Sequence, residues 1–406
     1  MTASARWEPR RIGELVALTS GQSPSAFKFG TGGTPYYKVD QLGRSQKYLT
    51  RTSTPYFSAT LPTVPAGSVL IAKRGGAIAL NRVRLLTEPS FMDTNVMALT
   101  PGTEIDSEFL YYWLGHRGLW DIADVTSVPQ INNKHIIPLE IELPTIVEQL
   151  RIVSALRDAD DLISTLERLI SKKEAIKQGM MQQLLTGRTR LPGFEDEWSE
   201  IRLGDHVNYV KTVALSRAQL DAKSSLKYLH YGDIHTRSSV LLDAASEDMP
   251  RANAKLAARA GLLQRGDVVF ADASEDPAGV GKSVEITGTP NTGVVPGLHT
   301  IAARFDKSVL ADGFKAYLQF IPSFRDQLLR LAAGTKVLAT TRSYISSITL
   351  TLPDIAEQGV IAEVLRDADR EVEVLRVRLA KAQDIKAGMM QQLLTGRTRL
   401  PAGSDG

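Results

Sequence analysis

Lys177 to Pro192 reads KQGMMQQLLTGRTRLP, and Lys386 to Pro401 reads KAGMMQQLLTGRTRLP. The copies differ once, Gln178 against Ala387, and stand 386 − 177 = 209 residues apart. The same offset holds upstream. LPTIVEQ (Leu143 to Gln149) aligns with LPDIAEQ (Leu352 to Gln358), and LRDAD recurs at Leu156 and Leu365. Leu143 to Pro192 therefore repeats without insertion or deletion, as a rigid spacer requires and a surface loop does not.

Each copy reads as one long helix. Pro144 and Pro353 hold the entering chain extended. Thr145 with Glu148, and Asp354 with Glu357, have capping-box spacing, the Thr pair being the better match. Apolar residues then follow a 3,4 spacing: Ile152, Leu156, Ala159, Ile163, Leu166 and Ile170, against Ile361, Leu365, Ala368, Val372, Leu375 and Leu379. So narrow a stripe predicts a coiled-coil seam. Gly187 and Gly396 stand where a left-handed residue closes a helix. From Glu148 to Thr186 the rod would measure roughly 58 Å at ~1.5 Å per residue. Its first copy carries six basic residues (Arg151, Arg157, Arg168, Lys172, Lys173, Lys177) and six acids (Glu148, Asp158, Asp160, Asp161, Glu167, Glu174). Zero net charge marks a spacer, not a phosphate grip.

Similarity continues more weakly ahead of each rod. RWEPRRIGELV resembles EWSEIRLGDHV, with Trp7 and Gly13 spaced like Trp198 and Gly204. VPAGSVLIA from Val64 resembles LQRGDVVFA from Leu263, each a Gly turn leading into a buried strand. YYKVDQL and LHYGDIH form a further pair around Asp40 and Asp233. These offsets drift (191, 199 and 193), so the globular parts share a fold and vary in their loops. SEFLYYWLGHRGLWDIA, from Ser107, reads as helical among short β-branched runs. The order is globular unit, rod, globular unit, rod: an α/β (α+β) two-repeat protein.

Composition narrows the function. At 406 residues, 43% hydrophobic and 23% charged, the chain reads as a soluble globular protein of two or three domains. It has no cysteine, so no disulfide or thiolate metal site. Its apolar runs fall short of the ~20 residues of a membrane helix, and MTASARWEPRR lacks a signal-peptide core; a cytoplasmic location is expected. Net charge is only +3. Lys28 to Arg84, however, holds nine basic residues and one acid, Asp40, whereas Leu85 to Glu142 holds nine acids against Arg117 and Lys134. Either the basic region faces a polyanion or this is an uneven solvated surface.

With the paired QQLLTGR ends, the two LPxxxEQ motifs and the W-x5-[IL]-G-[ED] openings, the chain resembles the specificity subunit of type I restriction-modification systems over nearly its whole length. The resemblance implies two target-recognition domains, each reading half of a bipartite DNA site. It implies two long antiparallel helices that fix the half-site spacing about a pseudo-two-fold axis. It also implies two methyltransferase (modification) subunits and restriction/translocase subunits as partners, which would carry S-adenosylmethionine, ATP and Mg. The expected boundaries are residues 1–147 and 197–356 for the recognition domains, 148–187 and 357–396 for the spacer helices, 188–196 for the linker and 397–406 for the tail. The duplicated helix end allows two readings. Met180, Met181, Gln182, Gln183, Leu184 and Leu185, with Met389, Met390, Gln391, Gln392, Leu393 and Leu394, dock two copies of one partner; or the motif recurs because both helix ends pack.

Catalytic signatures are missing. The chain has no Pro-Pro pair, which a methyltransferase motif of Asn/Asp-Pro-Pro-aromatic type requires. AGVGKS (Ala278 to Ser283) mimics a phosphate loop, but the pattern needs Gly where Asp276 stands. HYGDIH gathers His230, Asp233 and His235, yet YYKVDQ keeps only the Asp, so no metal is expected. A non-catalytic DNA reader is the leading expectation, and a coiled-coil protein adaptor the alternative. Lys and Arg would hold phosphates, while Gln, Asn and Arg read base edges. In the first unit the candidates are Lys38, Gln41, Arg44, Lys73, Arg74, Asn81, Arg82, Arg84, Gln130, Asn132, Asn133 and Lys134. In the second they are His235, Arg237, Lys282, Lys336, Thr340, Thr341 and Arg342. The last four lie in GTKVLATTRS, which aligns with TSVPQINNK at the 209 offset.

Overall fold

The computed structural model describes residues 7–125, 128–331 and 338–400. Two 39-residue helices, Ile146–Leu184 and Ile355–Leu393, stand at the repeat offset. The chain divides into two compact units, Met1–Glu167 with Val377–Gly406, and Arg168–Arg376. Each unit therefore holds the first part of one long helix and the last part of the other.

Within each unit the two helical parts run antiparallel. In the first, Asp160 pairs with Lys386 at 2.5 Å and Glu148 lies 3.8 Å from Arg399. In the second, Lys177 pairs with Asp369, and Lys173 with Glu371 at 2.6 Å. The 3,4 stripe is the buried side: Ile152, Leu156, Leu166 and Ile170 on one helix, and Ile361, Leu365 and Val372 on the other, all lie under 10% exposed. The helix starts differ from expectation. Glu357 N–H donates to Asp354 Oδ1 at 2.8 Å, whereas Glu148 N–H reaches Thr145 Oγ1 only at 3.4 Å, so Asp is the tighter cap. The carboxylate reaches further into the helix end than the shorter hydroxyl, and its charge suits the helix N-terminus.

Both globular parts are built on one plan. In the first, a five-stranded sheet has the order Val16–Ser20, Val96–Pro101, Val69–Ala72, Arg84–Leu86, Tyr48–Leu49. In the second, the order is Val207–Val210, Thr300–Phe305, Val268–Ala271, Ser283–Gly288, Leu241–Asp243. The last pair is parallel and the rest antiparallel in both. Every residue of the central strands VLIA and VVFA is buried, which explains their unbroken apolar sequence. Gly67 (φ +79°) and Gly266 (φ +90°) make the left-handed turns into these strands, as paired in the sequence. A short antiparallel ribbon joins the start and end of each globular part, Glu8–Arg11 with Glu140–Leu143 and Ser199–Arg202 with Thr349–Leu352.

The LPxxxEQ motif gains a physical account. Gln149 is fully buried. Its amide donates to Pro144 O and Glu104 O, each at 2.9 Å, and its Oε1 accepts from Asp106 N–H at 2.8 Å. Gln358 repeats this with Pro353 O, Val309 O and Ala311 N–H. One side chain thus satisfies three backbone groups where the long helix leaves the globular part.

One pairing shifts by a residue. Lys38 N–H donates to Gln41 Oε1 at 3.0 Å and His230 N–H to Asp233 Oδ2 at 2.9 Å, so Gln41, not Asp40, is the counterpart of Asp233. The neighbouring strands agree, with Tyr36 opposite Phe91 and Tyr228 opposite Val295 in parallel pairs.

Candidate nucleic-acid interface

One end of the five-stranded sheet gathers three chain segments in each unit. In the first, Lys73 N–H donates to Asn95 O at 2.7 Å, and Ile131 N–H donates to Lys73 O at 2.8 Å. In the second, Asp272 N–H donates to His299 O at 3.1 Å, and Thr340 N–H donates to Asp272 O at 2.7 Å. The offsets are 272 − 73 = 199, 299 − 95 = 204 and 340 − 131 = 209, so the same backbone bonds recur despite drift in the loops. The following residues also match: Asn132 stands at the N-terminus of helix Asn133–Ile136, and Thr341 at that of Arg342–Ser347, where its Oγ1 accepts Tyr344 N–H at 3.2 Å.

Side chains on this shared frame differ. The first unit presents Lys73, whose Nζ donates to Ser20 Oγ at 3.1 Å, and exposed Arg74, which has no ion-pair partner among the described residues. Gln130 pairs through its backbone with Arg74 and Asp124, Asn133 is exposed, and Lys134 pairs with Asp124 at 3.1 Å. The second unit presents Asp272 and His299, joined at 3.1 Å. It also presents exposed Arg342, whose guanidinium stacks 5.5 Å from the Tyr209 ring centre. His235 Nε2 lies 3.0 Å from Ala273 O on the same edge.

Several expected base or phosphate contacts are occupied by the fold. Gln41 is fully buried as the cap partner of Lys38. Asn81 has a left-handed backbone (φ +41°), and its amide donates to Leu114 O and Gly115 O, closing helix Ser107–Arg117. Arg84 donates to Val83 O at 2.6 Å and is half-buried, and burial lowers its pKa. Arg82 packs against Gly43, where an added Cβ would stand 2.1 Å from Nη1. Arg237 forms a two-pronged pair with Glu247 at 2.6 and 2.5 Å. Lys282, the lysine of AGVGKS, donates to His235 O at 2.6 Å and Arg237 O at 3.0 Å; burial lowers its pKa. It caps the short helix Tyr231–His235, so it is a structural lysine. Thr340 is buried. Lys38 sits 3.8 Å over the Tyr56 ring, Arg44 lies 3.4 Å from Asp40, and Lys336 is outside the described residues.

Sequence reading passed over Ser20, Asn95, Asp272 and His299. Their signal lies in strand pairing, which brings together segments far apart in the chain. Asp272, an acid, also lacks the positive charge by which the Lys and Arg candidates stand out in the sequence. The HYGDIH groups are spent locally: His230 Nδ1 accepts Gly232 N–H at 3.0 Å, and Asp233 accepts His230 N–H. Among the described residues no group of three His, Cys, Asp or Glu side chains is placed to hold a metal ion, and no helix is long and apolar enough to cross a membrane.

The duplicated helix ends close onto the tryptophans that open the globular parts. Gly187 (φ +68°) packs against Trp198, and Gly396 (φ +67°) against Trp7. Arg190 makes two 2.7 Å bonds to buried Glu357, which also accepts Trp198 Nε1–H at 3.1 Å. In the first unit Arg399 lies 5.8 Å from the Trp7 ring centre. Leu184, Leu185, Leu393 and Leu394 are buried in these contacts, so they are unavailable to a docking partner. Gln182, Gln183, Gln391 and Gln392 remain exposed, and Met180, Met181, Met389 and Met390 are half-buried.

Residues 5–178 match the type I restriction modification DNA specificity domain. The match takes in the first globular part and most of the first long helix. It is 24% identical to the type I restriction enzyme MjaVIII specificity subunit of Methanocaldococcus jannaschii, over 97% of this chain and 93% of that one. Its fold is similar to that of the S subunit of a type I restriction-modification system from M. genitalium. That likeness has a TM-score of 0.58 and 14% identity, and covers 100% of this chain and 98% of that one. A chain from a structural study of complex assembly and conformational transition of the type I R-M system gives a TM-score of 0.61 at 17% identity, over 97% and 98% of the two chains.

Proposed function

We propose that this specificity-subunit relative reads DNA sequence for a type I restriction-modification complex. Each unit takes one half of a bipartite target, and the two long helices set the distance between the halves. The observation that carries this reading is the recurrence of one backbone frame, Lys73–Asn95–Ile131 and Asp272–His299–Thr340, under different polar side chains. A frame kept while its exposed chemistry changes is what two readers of unlike half-sites require. The chain itself is a non-catalytic scaffold in the cytoplasm. Methyl transfer and DNA cleavage belong to two modification subunits and to restriction/translocase subunits, which bind S-adenosylmethionine, ATP and Mg. The exposed glutamines and half-buried methionines at the duplicated helix ends are the surface offered to those partners.

Titrating the purified full chain with duplex DNA at increasing salt tests this reading. Affinity should fall by roughly 10³-fold or more between about 50 and 200 mM salt if six or more phosphates are gripped. Binding that is flat across that range would point to a protein adaptor.

A further inference from the structure

At the equivalent place on the two sheet ends, the first unit carries a hydrogen-bond donor and the second an acceptor. Lys73 follows strand Val69–Ala72, and Asp272 follows strand Val268–Ala271. Each is fixed by the same two backbone bonds, so each side chain leaves the chain from the same position in the frame.

Asp272 is held twice by one residue. His299 O accepts its N–H at 3.1 Å, and His299 Nδ1 meets its Oδ1 at 3.1 Å. His299 has a left-handed backbone (φ +54°), one of only two non-glycine residues with positive φ among the described residues. Its counterpart Asn95 is not left-handed. Such an unfavourable conformation persists where the surroundings over-determine it, and it concentrates at functional positions. With Oδ1 occupied, Asp272 Oδ2 takes no hydrogen bond among the described residues, and the side chain is partly exposed beside Arg342's short helix. Tyr231 backs the imidazole edge-on, with ring centres 5.4 Å apart.

We infer that Asp272, positioned by His299, is a base-reading acceptor of the second unit, and that Lys73 is the matching donor of the first. A carboxylate repels phosphate, so on an edge that meets DNA it is favourable only against a base amine. In the major groove that means cytosine N4 or adenine N6; a lysine in the same place selects guanine O6 and N7. The two half-sites therefore differ in hydrogen-bond character at this position: guanine under Lys73, cytosine or adenine under Asp272. This assignment rests on the DNA-reading function proposed above.

Selection from a pool of randomised duplexes with the full-length chain tests it. Wild type should enrich a two-part site. Asp272→Ala should lower the cytosine or adenine preference at one position of one part from about fivefold or more to near parity, leaving every other position unchanged. Asp272→Lys should turn that same position to guanine. His299→Asn, which tolerates a left-handed backbone, should weaken the preference there and nowhere else. An unchanged two-part site in Asp272→Ala overturns the assignment, as does a uniform loss of enrichment across all positions, which would mark a structural role. A wild-type chain that enriches no sequence overturns the DNA-reading function, and this assignment with it.

Discussion

The Tyr317 hydroxyl donates to the Asp369 carboxylate at 2.9 Å, tying the second globular part to the long helix at a point where Lys177 also pairs with Asp369. The first unit repeats the arrangement with Tyr112, Asp160 and Lys386, the tyrosine bond being 2.5 Å. Burial, reinforced by the neighbouring carboxylate, holds both phenols well above their ordinary pKa, so they remain donors. Tyr317→Phe should destabilise the second unit by about 1.5–3 kcal/mol, as for a bond to a charged group. Urea unfolding followed by tryptophan fluorescence measures this, and a loss below about 0.3 kcal/mol would show that the tyrosine does not brace the junction.

Glu357 and Glu148 occupy the same place in the repeat with unequal partners. Glu357 is 1% exposed and bound by Arg190 and Trp198, whereas the nearest Glu148 to Arg399 approach is 3.8 Å. Glu357→Ala removes the buried acceptor of a part-exposed guanidinium and an indole N–H, so it should cost about 1–3 kcal/mol. Glu148→Ala should cost under about 1 kcal/mol. Equal losses in calorimetry would contradict the asymmetry.

The two globular parts start their post-sheet helices differently. Asp106 caps Ser107–Arg117 in the first, while in the second buried Glu285 reaches over from strand Ser283–Gly288 to accept Gly313 N–H and Ala316 N–H at 2.6 and 2.9 Å. Burial pushes the Glu285 carboxyl up to about 7 from an ordinary 4.5. The folded state then binds more protons than the unfolded state between those values. Stability should therefore fall as pH rises from about 4.5 to 7 and lose this slope above it, by on the order of 1–3 kcal/mol. Glu285→Gln should flatten that window in urea titrations run at each pH; a slope identical to wild type would assign it elsewhere.

Arg74 and Arg342 are exposed arginines on the two proposed reading edges. Arg74→Ala and Arg342→Ala should each weaken binding of the full chain to its target by ~1–3 kcal/mol if the side chain reads a base, while leaving the melting curve in place. Gln41→Ala and Lys282→Ala should do the reverse, lowering stability with no change in base preference, because both side chains cap helices. Sequence-specific effects from Lys282→Ala, measured by competition between target and scrambled duplexes, would return that lysine to the interface.

These contrasts show what the chain reveals before folding. The 209-residue repeat made both helices legible, with their seams and closing Gly187 and Gly396, because helical periodicity and caps are local. The globular parts were legible only where a glycine turn marked the way, as at Gly67 and Gly266. Gln41 looked like a base reader since nothing local tells a buried cap from an exposed amide. Asp40 was aligned with Asp233 on residue identity, but the capping geometry pairs Asp233 with Gln41. Asp272 and His299 become neighbours only through pairing of Val268–Ala271 with Thr300–Phe305, a contact with no periodic signature.

Mapping methylated adenines and cytosines across the genome, in cells with and without this gene, tests the central claim most directly. The account predicts that a methylated motif of two short parts around a fixed gap disappears with the gene. It also predicts that restoring the gene as Arg74→Ala or Arg342→Ala relaxes opposite parts of that motif. A methylation pattern identical in both strains, or both variants relaxing the same part, would contradict it.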